Sequence, residues 1–404
     1  MRTITTRDVR RQNRANVLRT IVLSGTATRA QLAEACGLSP ATVATVVTGL
    51  FGEGLLRDDG TVPSLGGRPI TRLTIRPEGG HMMGADVGER GVAVELFDLA
   101  MNRLDREFRE GPTREATPAE MRAALTSAVG ALRDRHPEIE PTLIGLGLGL
   151  PGVVERPEAG RDAVLYAQSL GWSPMTVGDL YAGDDLVVSA ENGAKTMATA
   201  ELWFGALRGV DHALVALLGR GVGLGVVTDG RLMRGARSSA GEWGHTKLSV
   251  GGPVCRCGAR GCLEAYVGAH AVLERWRGLG ADNPGEGWRA MSALVEAAVA
   301  GDGPALTVVE ETLDVLGVAL GNLVNLTNPT KVVVGGWVGL LLMASFRTEL
   351  ENRVRAAALD RFGAQLSLEL CRFEGDSVAL GAALLPLGTL IDAPAQEVRP
   401  TGTP

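Results

Sequence analysis

Between Arg10 and Ser24 apolar residues recur at helical spacing, with Val17, Leu18, Ile21 and Val22 on one face, and Gly25 stands where such a helix ends. The next stretch, "TRAQLAEACGLSPATVATVVTGLFGEGLL", predicts two short helices. Thr28 and Gln31 make a capping box ahead of the first, and Gly37 closes it because glycine adopts a positive φ at little cost. Ser39 caps the second, with Pro40 in the tolerated first position. Beyond it, "LLRDDGTVPSLGGRPITRLTI" reads as strand, glycine-rich loop and strand. After "RPEGG" the pattern changes. "HMMGADVGERGVAVELFDLAMNRL" gives two strands around a glycine turn, then a second turn at residues 98–102. Residues 212–235 repeat this plan as strand, "GRGVG" turn, strand, "TDGR" turn and strand. A helix opened by Thr117, Pro118 and Glu120 follows the first set. A long helix, "PALTVVEETLDVLGVALGNLVNLTNP", follows the second, is expected to be buried, and runs into the strand "KVVVGG". Two hairpin-led α/β units predict two lobes facing each other across a cleft; the alternative is two unrelated hairpins.

Composition narrows the class. A chain of 404 residues suits two or three domains, and 45% hydrophobic residues with 55 glycines suit an α/β protein with many tight turns. No run reaches the roughly 18 apolar residues of a membrane span. The best candidate, "ALVALLGRGVGLGVV", is broken by Arg220 and its glycines. The N-terminus is arginine-rich but lacks the apolar core of a signal peptide, so cytoplasmic residence is expected, with no membrane partner. The net charge of −6 hides an asymmetry, since residues 1–79 hold 11 arginines against 6 acidic residues. A basic head on an acidic body points to nucleic acid, although a solvated basic tail would look the same.

Ala33, Gly37 and Val43 have the relative spacing of a helix-turn-helix, with Leu32, Val46 and Leu50 in the remaining inward positions. Ordinary helical hairpins share that spacing, but the strand, loop and strand that follow supply a wing. Arg68 in "GGRP" would sit at its tip, suited to a narrow minor groove. A winged helix-turn-helix is therefore expected over residues 1–78, its helix from Ser39 lying in the major groove of double-stranded operator DNA. Ser39, Thr42, Thr45 and Thr48 are the candidate base readers. Neither Arg nor Lys lies between Arg29 and Arg57, so phosphate attraction falls to Arg68, Arg72 and the N-terminal arginines, Arg14 and Arg19 among them.

"CRCGARGC" spaces Cys255, Cys257 and Cys262 as C-x-C-x4-C, with His245 ten residues upstream. Three thiolates and an imidazole make a closed tetrahedral zinc site, structural rather than Lewis-acidic. In a reducing compartment clustered cysteines are metal ligands more often than disulfides. The alternative is reduced cysteines without metal. Cys36 and Cys371 fall in apolar runs and read as buried spectators.

From about residue 80 to 390 the chain resembles the ROK family (repressors, open reading frames and sugar kinases). The most specific segment is "GRLMRGARSSAGEWGHTKLSVGGPVCRCGARGCLEAY", in which all four zinc positions match. With its winged head the chain resembles the sugar-responsive repressors of that family. The resemblance implies an actin-like ATPase fold: a duplicated, ribonuclease H-like α/β body of two lobes. The first lobe would span 79–200, completed by 377–392. The second would span 201–376 with the zinc site, leaving 393–404 as a disordered tail. The resemblance assigns sugar hydroxyls to Asn192 in "ENGA", Glu242 and His245 in "EWGH", and Glu264 in "GCLEAY". His245 would bind zinc through one nitrogen and sugar through the other. Glu242 and Glu264 have a local structural reading as well, around the metal loop. Pro151 and Gly152 in "LGLPGVV" would add backbone contacts, and Ser169 or Trp172 in "SLGW" either a contact or core packing.

Two departures from the family's kinases bear on chemistry. Those kinases read Asn-Asp-Ala, the aspartate taking the proton from the attacking sugar hydroxyl, where this chain reads Asn192, Gly193 and Ala194. Loss of a general base typically costs about 10²–10⁴ in rate. Lys195 has the wrong charge for a resting base, and Glu191 is expected to point away from the pocket. The kinase motif Asp-x-Gly-Gly-Thr becomes "DVGER", setting Glu89 where amides should cradle phosphate. The motif Gly-Thr-Gly becomes Gly219, Arg220 and Gly221, while "VVVGGWVG" keeps the adenosine-side glycines. The expectation is a non-enzymatic, sugar-responsive DNA-binding regulator, a homodimer or dimer of dimers. A bifunctional sugar kinase with a regulatory head, and an architectural DNA-binding protein with a vestigial body, are the alternatives.

Overall fold

A computed structural model of the chain describes residues 5–63, 69–88, 90–112, 116–155, 162–167, 170–181, 183, 186–281 and 285–393. Arg68, Glu89, Ser169 and nearly all of the C-terminal segment lie outside these residues.

The head runs α1 (Thr6–Ser24), β1 (Thr26–Thr28), α2 (Arg29–Cys36), α3 (Pro40–Gly52), β2 (Leu56–Val62) and β3 (Ile70–Ile75). Helix α1 starts four residues before the apolar stripe because Thr5 and Asp8 close a reciprocal capping box. Thr28 and Gln31 do the same for α2, and Gly37 ends it at φ 62°. Val17, Leu18, Ile21, Leu32, Val43 and Leu50 bury together. Val47 joins them, whereas Val46, expected inside, is only half-buried, because the core-facing stripe of α3 runs through Val43, Val47 and Leu50. Strands β1, β3 and β2 form an antiparallel sheet that makes the stem of the wing.

The body opens with β4 (His81–Gly88), β5 (Gly91–Asp98), β6 (Arg103–Glu110), α4 (Pro118–Arg135) and β7 (Leu143–Leu150). A small antiparallel sheet of β8 (Val153–Glu155), β9 (Val164–Tyr166) and β10 (Met175–Thr176) interrupts it before β11 (Val188–Asn192) and α5 (Gly193–Phe204). The second half repeats the hairpin with β12 (Ala213–Leu218), β13 (Val222–Thr228) and β14 (Arg231–Leu232). It adds α6 (Glu264–Val267), α7 (Ala269–Gly278), α8 (Gly287–Val299) and α9 (Gly303–Thr327), then β15 (Lys331–Gly335), α10 (Gly336–Ala357), α11 (Asp360–Gln365), β16 (Ser367–Leu370) and α12 (Ser377–Asp392).

The two five-stranded sheets have the same order and sense. One reads β6-β5-β4-β7-β11 and the other β14-β13-β12-β15-β16; in each, two antiparallel pairs are followed by two parallel ones. The hairpins are therefore related copies. Their closing helices are exchanged: α12 packs on β4 and β7 of the first sheet, and α5 packs on β12 and β13 of the second. The expected boundary at residue 200 thus falls inside α5, a helix that serves the other half's sheet. The approach is close enough to exclude side chains, since a Cβ on Gly147 would lie 1.8 Å from the Ala382 carbonyl and one on Gly381 1.8 Å from that of Thr196. Helix α9 buries one face against α8 and α10 but leaves Val318 and Leu326 exposed, so it is amphipathic rather than fully buried as expected. Among the described residues no single helix is long and apolar enough to cross a membrane.

Candidate functional site

A cavity of about 390 Å³ opens between the two sheets at the N-terminal ends of α5 and α12. Asn192, Glu242, His245 and Glu264 all line it, so the four residues expected to meet sugar converge from three separate segments. Each also has a local duty. Asn192 caps α5, its Oδ1 accepting the amides of Ala194 (3.0 Å) and Lys195 (3.3 Å), while its Nδ2 donates to the Gly152 carbonyl at 2.8 Å. That leaves one N–H for a ligand. Glu264 opens α6 and accepts the Val222 amide at 3.1 Å, which fixes the turn 219–221 beside the cavity. Glu242 precedes a 3-10 turn, Trp243–His245, anchored by buried Trp243. Burial raises the Glu242 carboxyl above its ordinary range; the Glu264 charge adds to this and His245 and Lys195 oppose it.

The metal candidates form one cluster. The ligand atoms of His245, Cys255, Cys257 and Cys262 lie within 4.8 Å of one another. Cys255 Sγ is 3.8 Å from His245 Nδ1, and Cys257 Sγ is 3.8 Å from Cys262 Sγ. A tetrahedron with Zn–S bonds of about 2.3 Å has S···S edges of about 3.8 Å, so the donor set fits a zinc-sized ion. His245 turns Nδ1 to the Cys255 thiol and is also one of the residues that line the cavity. Lys247 Nζ donates to Cys262 Sγ at 2.8 Å and would balance the negative charge of three thiolates. Two residues past Cys262 comes Glu264, so the candidate metal loop leads directly into a cavity-lining carboxylate.

At the position of the kinase base, Gly193 is the first residue of α5 and borders the cavity. A Cβ there would meet nothing nearer than 3.6 Å, an ordinary contact with Leu217. Packing therefore does not demand the glycine. Glu191, as expected, points away: it is 1% exposed and binds Arg234, the Ser238 hydroxyl (3.1 Å) and Lys195 (3.9 Å). Lys195 is likewise buried, donating to the Ser238 carbonyl. This inner network pins the loop that carries Glu242 to the start of α5, and short motifs gave no sign of it.

Other expectations shift. Trp172 belongs to the core, 7% exposed with its indole N–H on the Ala116 carbonyl at 3.0 Å, and it does not line the cavity. Cys371 is buried, but Cys36 is half-exposed beside Thr20 Oγ1 at 3.4 Å, because α2 shows that edge to solvent. Asp86 of "DVGER" and Trp337 of "VVVGGWVG" line the cavity as well, together with Arg106 and Ser377, to which no sequence motif points. Burial pushes the Asp86 carboxyl up to about 6, against the pull of Arg90 and Arg106. The Trp337 indole stands over the turn 219–221, within 3.1 Å of where a Cβ on Gly219 would lie.

In the head, Ser39 Oγ accepts the Thr42 amide at 3.2 Å, so it is first a helix cap. Thr45 and Thr48 donate to carbonyls one turn back and remain exposed on α3, while Thr42 is half-buried. Arg7, Arg10, Arg11 and Arg29 are exposed. Arg72 is paired with Asp59 at 2.9 Å. Arg14 does not face solvent at all: it is 4% exposed and lies between Glu53 and the C-terminal end of α12, so it is withdrawn from the arginines that could meet phosphate.

A two-lobed actin-like body behind a winged helix-turn-helix head defines the structural class. The profile of the ROK family matches residues 82–388, and the chain belongs to that family. It is 26% identical to the xylose repressor of Caldicellulosiruptor bescii over 95% of this chain and 97% of that protein. It is 29% identical to the N-acetylglucosamine repressor of Shigella flexneri over 93% of this chain and 92% of that protein. A glucokinase of Halalkalibacterium halodurans is 31% identical but covers only 75% of this chain, 94% of its own length. The crystal structure of a ROK family transcriptional regulator, a homologue of the Escherichia coli MLC protein, superposes with TM-score 0.77 at 23% identity, covering 95% of this chain and 97% of its own.

Proposed function

We infer that the chain is a sugar-responsive transcriptional repressor of genes for sugar uptake or use, its ROK body a receptor without kinase chemistry. The observation that carries this is Gly193: the sugar-side groups converge in one cavity, yet the position of the general base is a glycine that packing does not require. Asn192, Glu242, His245 and Glu264 would bind vicinal hydroxyls, and a structural zinc on His245, Cys255, Cys257 and Cys262 would hold His245 and Glu264 in place. Residues 1–78 would read operator DNA through α3, with Thr45 and Thr48 towards bases and Arg68 in the wing; Ser39 and Thr42 serve mainly the cap. Residues 79–200 with 377–392, and 201–376, would be the two lobes. Paired heads of a homodimer, or of a dimer of dimers, would meet two half-sites, so a change in lobe angle alters their spacing. Reading chromosomal operators would place the protein in the cytoplasm.

A thermal-shift screen with D-xylose, D-glucose, N-acetylglucosamine and their phosphates tests this alongside a coupled ATP assay. At least one sugar should raise the melting temperature, with no turnover for any. Gly193→Asp should fold normally and still give no turnover, because Arg220 and "DVGER" remain. A bifunctional kinase is favoured by one observation, the Asp86 carboxyl kept at the cavity wall. ATP-dependent turnover abolished by Glu242→Ala would establish that reading instead.

A further inference from the structure

We propose that Arg14 and Arg19 are positioning residues that seat the DNA-reading head on α12 and α5, and that these two helices carry the state of the cavity to the head. The proposal rests on the sugar-receptor reading of that cavity.

Both helices begin at the cavity, α5 with Asn192 and Gly193 and α12 with Ser377 and Val378. Both end against α1. The Arg14 guanidinium meets the C-terminal end of α12, Nη1 donating to the carbonyls of Leu390 (3.0 Å), Ile391 (3.1 Å) and Ala393 (3.4 Å). Its other nitrogens bind Glu53, at 3.2 and 2.5 Å. Glu53 is the C-cap residue of α3, so one buried side chain joins the end of α12 to the end of the candidate recognition helix. On the α5 side, Arg19 lies 5.6 Å from the ring centroid of Trp203 in the last turn of α5, and Arg208 donates to the Leu23 carbonyl at 2.8 Å.

Between these ends the two helices are about 18 and 24 Å long. They cross where Gly381 lies directly on the Thr196 backbone, with no room for a side chain, so a shift of one helix is felt by the other. The two rest on different sheets, so a change of angle between the halves shifts one against the other at this crossing and alters how their far ends meet α1. A cation placed to attract phosphate would lie in solvent. Arg14 is buried and fully engaged, which suits a clamp.

Hydrogen exchange on zinc-loaded, full-length protein tests this, with D-xylose, D-glucose and N-acetylglucosamine each at saturation as probes. In the wild type, a sugar that changes exchange at residues 188–200 and 377–384 should also change it at 6–24 and 40–53. Arg14→Met should keep the cavity response and lose the response of the head. Arg14→Lys, which keeps the charge but cannot span five acceptor oxygens, and Arg19→Gln at the exposed clamp should each reduce the head response while the fold persists. A merely structural clamp would lower the melting temperature and leave that response intact. An undiminished head response in Arg14→Lys and Arg19→Gln, or a wild-type cavity response that never reaches the head, overturns the proposal. Absence of any cavity response to all three sugars removes the receptor reading and the coupling together.

Discussion

Glu95 shows how one residue can shape the pH profile of the whole chain. It is 1% exposed on β5, with Arg103 Nη1 at 3.1 Å and Arg106 Nε at 3.4 Å, and burial, reinforced by Asp376, pushes its carboxyl up to about 7. Unfolded, the group ionises near 4.5. Between those values the native state holds the additional proton, so stability falls as pH rises through the window and levels off above 7. The span is worth at most about 3 kcal/mol. Denaturant midpoints from pH 4.5 to 8 should show this fall in the wild type and a flatter profile in Glu95→Gln; an unchanged slope would assign the effect to another group. Residue identity also separates what was legible from what was not. The glycine at position 193 is plain from sequence, but only the ordinary contact distances around it, 3.6 Å and more, show that a Cβ would fit there.

Among the elements, α3 carries the clearest division of labour. Ser39 satisfies one of the orphan amides at the start of the helix, whereas Thr45 and Thr48 lie on its exposed face, their hydroxyls donating to carbonyls one turn back. Ser39→Ala should therefore cost about 1 kcal/mol of head stability in denaturant titrations. Ser39→Asp should restore the cap yet weaken binding to duplex DNA, because it sets a negative charge near phosphate. If Ser39→Ala leaves stability unchanged, the cap is not contributing. The capping boxes at Thr28 and Thr117 were legible in advance because donor and acceptor lie three residues apart. The box at Thr5 lies ahead of the apolar stripe, so the hydrophobic periodicity does not reveal it.

For the molecule as a whole, the candidate metal loop and the cavity share His245. Val222, held by Glu264, opens β13 of the second hairpin, and Cys262 stands two residues before Glu264. Removing metal with a chelator should lower the melting temperature and abolish sugar binding in step, both returning when zinc is added back. Cys257→Ser, at the half-exposed ligand, should reproduce the loss. Sugar affinity that survives in metal-free protein would show that the loop holds its shape unaided. The exchange of α5 and α12 makes the two halves interdependent, so neither lobe has a complete core when separated from its partner's helix.

By itself the sequence determined what short range encodes. The helix caps, the paired hairpins, the C-x-C-x4-C ligand spacing and the glycine in place of the base all follow from residues a few positions apart, whose geometry the backbone fixes locally. Only the tertiary structure decided the rest. It sent Trp172 to the core, placed α5 on the second sheet, and took Arg14 from the basic stretch to the end of α12, 376 residues away. Those outcomes depend on which surfaces meet after collapse. An arginine among arginines carries no local mark of the carbonyls it will find.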